Sequence, residues 1–192
     1  MTLTPAQLQT VKTAVLADPT ALGYRQAGDT ASMRDWLNAP SAVTVWRTEA
    51  PVAAIMDAID WSKFTPTAAL DDVTLLDALT ANRRAAQLLA IQTKQMNLQA
   101  MLFGRTSIDA SRANIRAGLR DAVIALPAGN GGAAVAAGGA SGATVLAACT
   151  RLARRAEAFL VGGTATTGST TANLLIFEGL VDGDDASWLC VN

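Results

Sequence analysis

The 192-residue sequence contains no histidine, and only 5% of its residues are aromatic. Without histidine, the chain lacks the commonest metal ligand and the one side chain whose unperturbed pKa lies near neutral pH. It has no histidine to activate a serine or cysteine, and no two carboxylates have a spacing typical of general acid–base catalysis. These absences argue against an enzyme, and the sequence indicates no catalytic residue, no metal ligand and no cofactor.

The chain has two cysteines, Cys149 and Cys190, and neither belongs to a CxxC pair or a metal-ligand spacing. We interpret both as reduced and structural, which suits an intracellular protein. The N-terminal segment MTLTPAQLQT lacks the basic region and apolar run of a signal peptide. Glycines and a proline interrupt the longest charge-free run, so we expect no membrane partner.

A glycine-rich stretch, GNGGAA at residues 129–134, imitates the GxGxxA pattern of dinucleotide sites. In that motif the glycines follow a strand and open a helix, whereas here they follow a helical segment. An acidic residue about 20 positions downstream, which would bind the ribose, is also missing. We therefore interpret residues 127–142 as a Gly/Ala-rich flexible linker.

The N-terminal third shows several helix signals and one strand signal. A capping hydroxyl at Thr4 ahead of a proline predicts a helix to about Ala17, and Asp29 or the next residue begins another. The alternating segment SAVTVWRT, residues 41–48, predicts a strand that needs a partner elsewhere in the chain. Residues 51–61 then predict a helix with one apolar stripe.

Helical signals run nearly unbroken from residue 71 or 72 to residue 103, which corresponds to about 50 Å of helix. The apolar residues of this segment fall on two faces, which is typical of a central helix. Between these faces lie amides where a solvated helix usually carries lysine and glutamate. We interpret Gln92, Gln95 and Gln99 as candidate interface amides, since an amide costs less to desolvate than a charge; a neutral solvated face explains them equally well.

The next predicted helix begins at residue 107 or 109 and ends at residue 126. It carries Arg112, Arg116 and Arg120 at four-residue spacing, so the three share one flank. This basic stripe is consistent with a solvated face, with salt bridges to an acidic neighbour, or with phosphate contact. Residues 83–155 carry a net charge of +8 between flanks of −4 and −5, which favours internal neutralisation or contact between neighbouring copies.

The C-terminal part is predicted to contain a helix over residues 143–162 and a Thr-rich extended tail over residues 163–192. The tail includes two short strands, at residues 174–177 and 187–191. With residues 1–126 as a helical core and 127–142 as the linker, the sequence predicts a mainly α fold. We expect a helical bundle around one long central helix, with an extended C-terminal tail that forms short β-strands.

Four segments resemble proteins encoded in the structural gene clusters of tailed bacteriophages: TLTPAQLQTVKTAVLADP, VTVWRTEAPVAAIMDAIDWSKFTP, LTANRRAAQLLAIQTKQMNLQAMLFGR and ANIRAGLRDAVIALPAG. They span most of residues 2–160, and the final DGDDASWLCVN lies outside them. The pattern is similar to that of neck proteins of the head-tail adaptor (connector) family. Membership implies a helical virion protein made in the host bacterial cytoplasm. It also implies a homo-oligomeric ring of 12 copies in the neck, which joins the portal protein to a tail or stopper protein and surrounds the DNA channel.

The resemblance also suggests roles for particular residues. The amides would lie at the ring interface, and the arginines would face a neighbouring subunit or the packaged DNA without reading its sequence. A portal anchor would use strand addition by the tail, through Leu174, Leu175, Ile176, Phe177 and Trp188. Two alternatives remain: another phage particle component, such as a stopper, tail terminator or capsid decoration protein, and a nonspecific DNA-binding protein that uses the arginine stripe.

Overall fold

A computed structural model describes residues 2–59, 61, 78–123 and 142–192 of the chain. The predicted mainly helical bundle around one long central helix is wrong, because the chain forms a mixed α/β structure with a four-stranded sheet. The chain divides into two compact units. Unit 1 comprises Met1–Trp46, Arg151–Ala165 and Thr171–Asn192, and unit 2 comprises Arg47–Thr150 and Thr166–Thr170.

Unit 1 begins with three helices: α1 (Pro5–Ala17), α2 (Pro19–Ala27) and α3 (Thr30–Asn38). The side chains of Thr4, Asp18 and Asp29 cap their respective N-termini by accepting backbone hydrogen bonds. The predicted starts of α1 and α3 are confirmed. Helix α2 was not predicted, because Asp18 and Pro19 were interpreted only as a helix stop, whereas the same pair also caps and begins the next helix.

The sheet combines strands from distant parts of the chain: β1 (Pro40–Trp46), β4 (Thr150–Arg154), β5 (Val161–Thr167) and β6 (Thr170–Leu175). Their spatial order is β4-β1-β6-β5. Strands β1 and β6 are parallel, with Val45 opposite Asn173. The side-chain amide of Asn173 also donates to the backbone oxygen of Thr44 at 3.0 Å. The strand predicted over residues 41–48 is thereby confirmed, and its partner lies near the other end of the chain.

The C-terminal predictions are wrong in two respects. Residues 143–162 do not form one helix, because α7 (Gly142–Ala148), β4 and α8 (Arg155–Phe159) follow one another there. Residues 163–192 are not an extended tail, because β5 and β6 belong to the sheet and residues 187–191 lie in α9 (Gly183–Val191). Asp182 caps α9 and two acidic residues occupy its first turn, which favours a helix over the predicted strand.

Helices α1, α2, α3, α8 and α9 enclose the core of unit 1. Trp36 stacks on Phe159 with ring centroids 6.0 Å apart, and the guanidinium carbon of Arg155 lies 4.8 Å from the centroid of the Trp36 ring. These contacts join α3 to α8. Aliphatic side chains from both ends of the chain complete this core: Leu8, Val11, Val15, Met33, Leu37, Leu160, Val181 and Leu189.

Unit 2 contains β2 (Ala50–Pro51), α4 (Val52–Asp57), α5 (Ala78–Leu102), β3 (Ser107–Ile108), α6 (Ala113–Val123) and α7. Strands β2 and β3 pair antiparallel, and α6 packs against both α5 and α7. Leu98, Leu119 and Leu146 are fully buried in these helices. The long predicted helix is present as α5, but within a mixed α/β fold. Its predicted first residues and the linker proposed at 127–142, apart from Gly142, lie outside the described residues.

Candidate interaction surface

Helix α5 has one face inside unit 2 and the opposite face in solvent. Leu98 is fully buried, whereas the side chains at 89, 96 and 103 are exposed although they are large and apolar. Leu89 is 64% exposed, Met96 67% and Phe103, directly after the helix, 87%. Because an α-helix turns about 100° per residue, this seven-residue spacing places all three opposite Leu98. Exposed large apolar side chains aligned on one side of a helix mark a candidate interaction surface.

Two of the three predicted interface amides lie within this row. Gln92 and Gln99 are exposed on the same side, while Gln95 is half-buried on the flank towards Leu98. Lys94 is the one charged residue between positions 89 and 103. Its ammonium points away from the row and donates to the backbone oxygen of Asp121. We call Leu89, Gln92, Met96, Gln99 and Phe103 the α5 face, which is exposed and carries no charge.

A groove of about 600 Å³ in unit 2 adjoins the α5 face. The indole nitrogen of Trp61 donates to the backbone oxygen of Met56 at 3.0 Å, which holds the ring in the wall of the groove. The lining is mainly apolar and includes Val52, Met56, Trp61 and Leu102. Two members of the α5 face, Gln99 and Phe103, also line it. The face and the groove therefore share Gln99 and Phe103 and form one continuous surface.

The structure separates the three arginines of the predicted basic stripe. The Arg112 side chain is 70% exposed, and its Nε lies 3.0 Å from Asp109 Oδ2. Arg120 is half-buried and lies against two glycines of unit 2, Gly142 and Gly168. A Cβ atom added to Gly168 would lie 3.0 Å from the Arg120 Nε. These two arginines therefore differ in surroundings although they share a helix.

Arg116, between them in sequence, is only 3% exposed. Its Nη1 donates to the backbone oxygens of Ala110 and Ser111 at 2.9 and 2.5 Å, and its Nε donates to Thr167 Oγ1 at 3.1 Å. Burial lowers the pKa of Arg116, against the opposing effect of Asp109. Arg116 thus fixes the segment before α6 and the end of β5. It is not placed to meet a DNA phosphate, and the structure does not bring the three arginines to one exposed surface.

The five residues of the predicted portal anchor do not share an extended tail. Leu174 and Leu175 lie half-buried in β6, and Ile176 is exposed directly after that strand. Phe177 and Trp188 pack against the core of unit 1. Because most of this set supports the fold of unit 1, it is not a separable anchor.

One polar cluster of unit 1 escaped prediction. The Glu157 carboxylate is fully buried and forms ion pairs with Arg151 at 2.7 Å and Arg154 at 3.0 Å, and Arg151 also pairs with Glu178 at 2.8 Å. The sequence predicts one helix over residues 143–162 and an extended tail that contains Glu178. The signal for the cluster is Glu157, which is the only acid beside the three arginines of RLARRAE. Its hydrogen bonds are satisfied within the protein, so we assign it a structural role.

Within the described ranges, no helix combines the length and the apolar character that crossing a membrane requires. The same ranges contain no group of three or more acidic or cysteine side chains arranged to hold a metal ion. No family model matches the chain, and neither a curated protein nor a solved structure matches it significantly.

Proposed function

We propose that this chain is a structural protein of the tailed-phage particle, namely a head-tail adaptor that joins the portal protein to a tail or stopper protein. The α5 face carries the proposal. Burying a leucine, methionine or phenylalanine side chain contributes about 1.5–3 kcal/mol each, and the face exposes one of each in a single row. Such a surface gains most by contact with another protein.

The segment resemblance directs the proposal to the virion neck. The segment LTANRRAAQLLAIQTKQMNLQAMLFGR, which resembles phage neck proteins, includes the whole α5 face. A ring of 12 copies around the DNA channel, formed in the neck after synthesis in the host cytoplasm, would place the faces of many copies in protein contacts. The proposal is supported by the resembling segment and by its exposed face. The fold class does not support it, because the resemblance implied a helical bundle and the chain is mixed α/β.

The positions of the three arginines do not favour the alternative of nonspecific DNA binding. Contact with phosphate needs exposed guanidinium groups, and of the three candidates only Arg112 is exposed. A stopper, a tail terminator or a capsid decoration protein would use the α5 face equally well. The location of the chain in the particle separates these roles.

Cryo-electron microscopy of purified particles tests the proposal. We expect density for the chain in a ring between portal and tail, recognisable by the long helix α5 and by Trp46 and Phe103. Density on the capsid or within the tail would contradict the adaptor role. A chain undetectable in particles by mass spectrometry would contradict any virion role.

A matched pair of phage variants tests the surface itself. Met96→Glu places a charge in the α5 face, and Val191→Glu places the same charge on a side chain that is 79% exposed in unit 1. We expect heads without tails from the first variant and normal particles from the second. Normal particles from Met96→Glu would show that the α5 face is not an assembly surface.

A further inference from the structure

We infer that a second groove of unit 2, between α5 and α6, binds an extended segment of another protein. One carboxylate side chain of that segment binds Arg105, and an apolar side chain lies beside it. The groove is on the side of α5 turned away from the α5 face, so the inference goes beyond the proposed function and does not rest on it. Three features select this partner: a cation without a counter-ion, an apolar cavity and a free amide.

Two adjoining cavities form the α5/α6 groove, with volumes of about 320 and 630 Å³. Both are lined by Met101 and Arg105, so they are continuous. The α5 wall from Lys94 to Met101 is about 10 Å long. This length matches about three residues of extended chain, and a short peptide can therefore lie along the groove.

Arg105 is the cation of the groove that lacks a partner within the described residues. Its side chain is exposed and forms no hydrogen bond or ion pair there. The other two cations are engaged. Lys94 donates to the backbone oxygen of Asp121, and Arg112 pairs with Asp109. The groove thus holds three cations and two acids, and one carboxylate bound to Arg105 would balance its charge.

The two acids of the groove argue against a nucleic acid as its partner. Asp109 and Asp121 line the cavities and would repel a phosphate backbone, which carries a negative charge at every nucleotide. A peptide with a single carboxylate can place that charge at Arg105 and keep neutral residues near the acids. Charge complementarity therefore favours a protein segment with one acid over a polyanion.

The smaller cavity has an apolar lining beside Arg105. Ile108 is buried there, and Met101 and Ile115 are half-buried. A cavity of about 320 Å³ is large enough for a leucine or phenylalanine side chain, and burying such a side chain contributes to affinity. An inorganic anion has no apolar part to place there. The acid of the partner should therefore be next to a large apolar residue.

Asn97 distinguishes a peptide from a simple organic acid. Its side chain is exposed in the larger cavity and forms no hydrogen bond with the described residues. A carboxamide carries donors and an acceptor, so it can bind both the C=O and the N–H groups of an extended backbone. A fatty acid offers only its carboxylate, which Arg105 would bind. The α5/α6 groove thus has groups for the side chains and for the backbone of a peptide.

Selection from a library of random peptides displayed on yeast tests this inference. Peptides are selected for binding to the full wild-type chain, and those that also bind Arg105→Glu are discarded, which removes peptides bound elsewhere on the chain. A retained peptide is synthesised and titrated by fluorescence anisotropy against the wild-type chain, Arg105→Glu and Asn97→Ala. Arg34→Glu is the matched control, because Arg34 is also an exposed arginine but lies in unit 1. Far-UV circular dichroism checks that each variant is folded.

We expect the retained peptides to share one aspartate or glutamate next to a large apolar residue. Arg105→Glu should weaken binding of the synthetic peptide at least about tenfold, and Asn97→Ala about threefold. Arg34→Glu should leave the affinity unchanged. A peptide with lysine in place of its acid should regain binding to Arg105→Glu, because the charges of the pair are then exchanged.

Four results would each overturn the inference: a selection that retains no peptide, retained peptides without an acid, full affinity in Asn97→Ala, or no binding of the lysine peptide to Arg105→Glu. Duplex DNA that displaces the peptide from the wild-type chain would assign the groove to phosphate and overturn it as well. None of these results bears on the α5 face or on the location of the chain in particles, which the particle experiments test separately.

Discussion

Glu157 accepts hydrogen bonds from both terminal nitrogens of Arg151, at 2.7 and 3.0 Å, with a carboxylate that solvent does not reach. The backbone N–H groups of Arg154 and Gly179 also donate to it, at 2.7 and 3.1 Å. One carboxylate therefore joins β4, the start of α8 and the segment after β6. A buried carboxylate with this many donors holds these segments together. Its removal would leave buried donors without an acceptor and destabilise the fold.

Glu157→Gln should lower the free energy of unfolding by about 3–5 kcal/mol, because the guanidinium of Arg151 would lose its buried counter-ion. Urea denaturation followed by tryptophan fluorescence measures the change. Glu178→Gln is the matched control, since Glu178 binds the same Arg151 from a more exposed position, and it should cost at most about 1 kcal/mol. Equal losses in the two variants would contradict the central role of Glu157.

Acid should destabilise the protein partly through the same carboxylate. Burial alone would raise the pKa of Glu157, but the hydrogen bonds from Arg151 and from the backbone of Arg154 and Gly179 lower it below the ordinary glutamate value of 4.5. Because the folded pKa lies below the unfolded one, the stabilisation is present above about pH 4.5 and is lost as pH falls through the folded value. The wild-type chain should therefore lose stability more steeply below about pH 4.5 than Glu157→Gln. Parallel slopes in urea titrations would argue against this origin.

Arg116→Met should lower the free energy of unfolding by about 2–4 kcal/mol, because two backbone oxygens and the Thr167 hydroxyl would lose a charged donor. Arg112→Met, on the same helix, should change it by less than about 0.5 kcal/mol, since an exposed ion pair contributes little. Thermal unfolding of the two variants gives the comparison. Similar small effects would mean that the buried position of Arg116 is not energetically important.

In a chain truncated after Gly163, unit 1 should not fold. The truncation removes β6 and α9, and with them the buried side chains of Val181 and Leu189. The extended-tail prediction implied the opposite result, an intact helical core. Limited proteolysis measures this. We expect rapid cleavage within the first 46 residues of the truncated chain. A control chain that lacks only the exposed Asn192 should resist cleavage there. Protection of that segment in the truncated chain would contradict the observed core.

Features set by neighbouring residues could be predicted from the sequence, and features set by distant contacts could not. The hydroxyl of Thr4 ahead of a proline marked the start of α1, because a cap acts within one turn. Residues 150–154 were predicted as helix, since alanine and arginine favour helices locally, yet pairing with β1 makes them a strand. Periodicity placed the arginines on one flank but could not show that Thr167 meets Arg116. The two apolar sides of α5 were predictable, whereas which of them remains exposed was not.

The pairing of β1 with β6 has a consequence for synthesis of the chain. The bond between Asn173 and Thr44 spans 129 residues, so β1 leaves the ribosome long before its partner strand exists. At about 5–20 residues per second, translating the intervening segment takes roughly 6–26 s. During that interval α1, α2 and α3 lack the side chains of α9 that complete their core. The nascent N-terminal segment thus exposes apolar surface until α9 has been synthesised, and molecular chaperones have that interval in which to bind it.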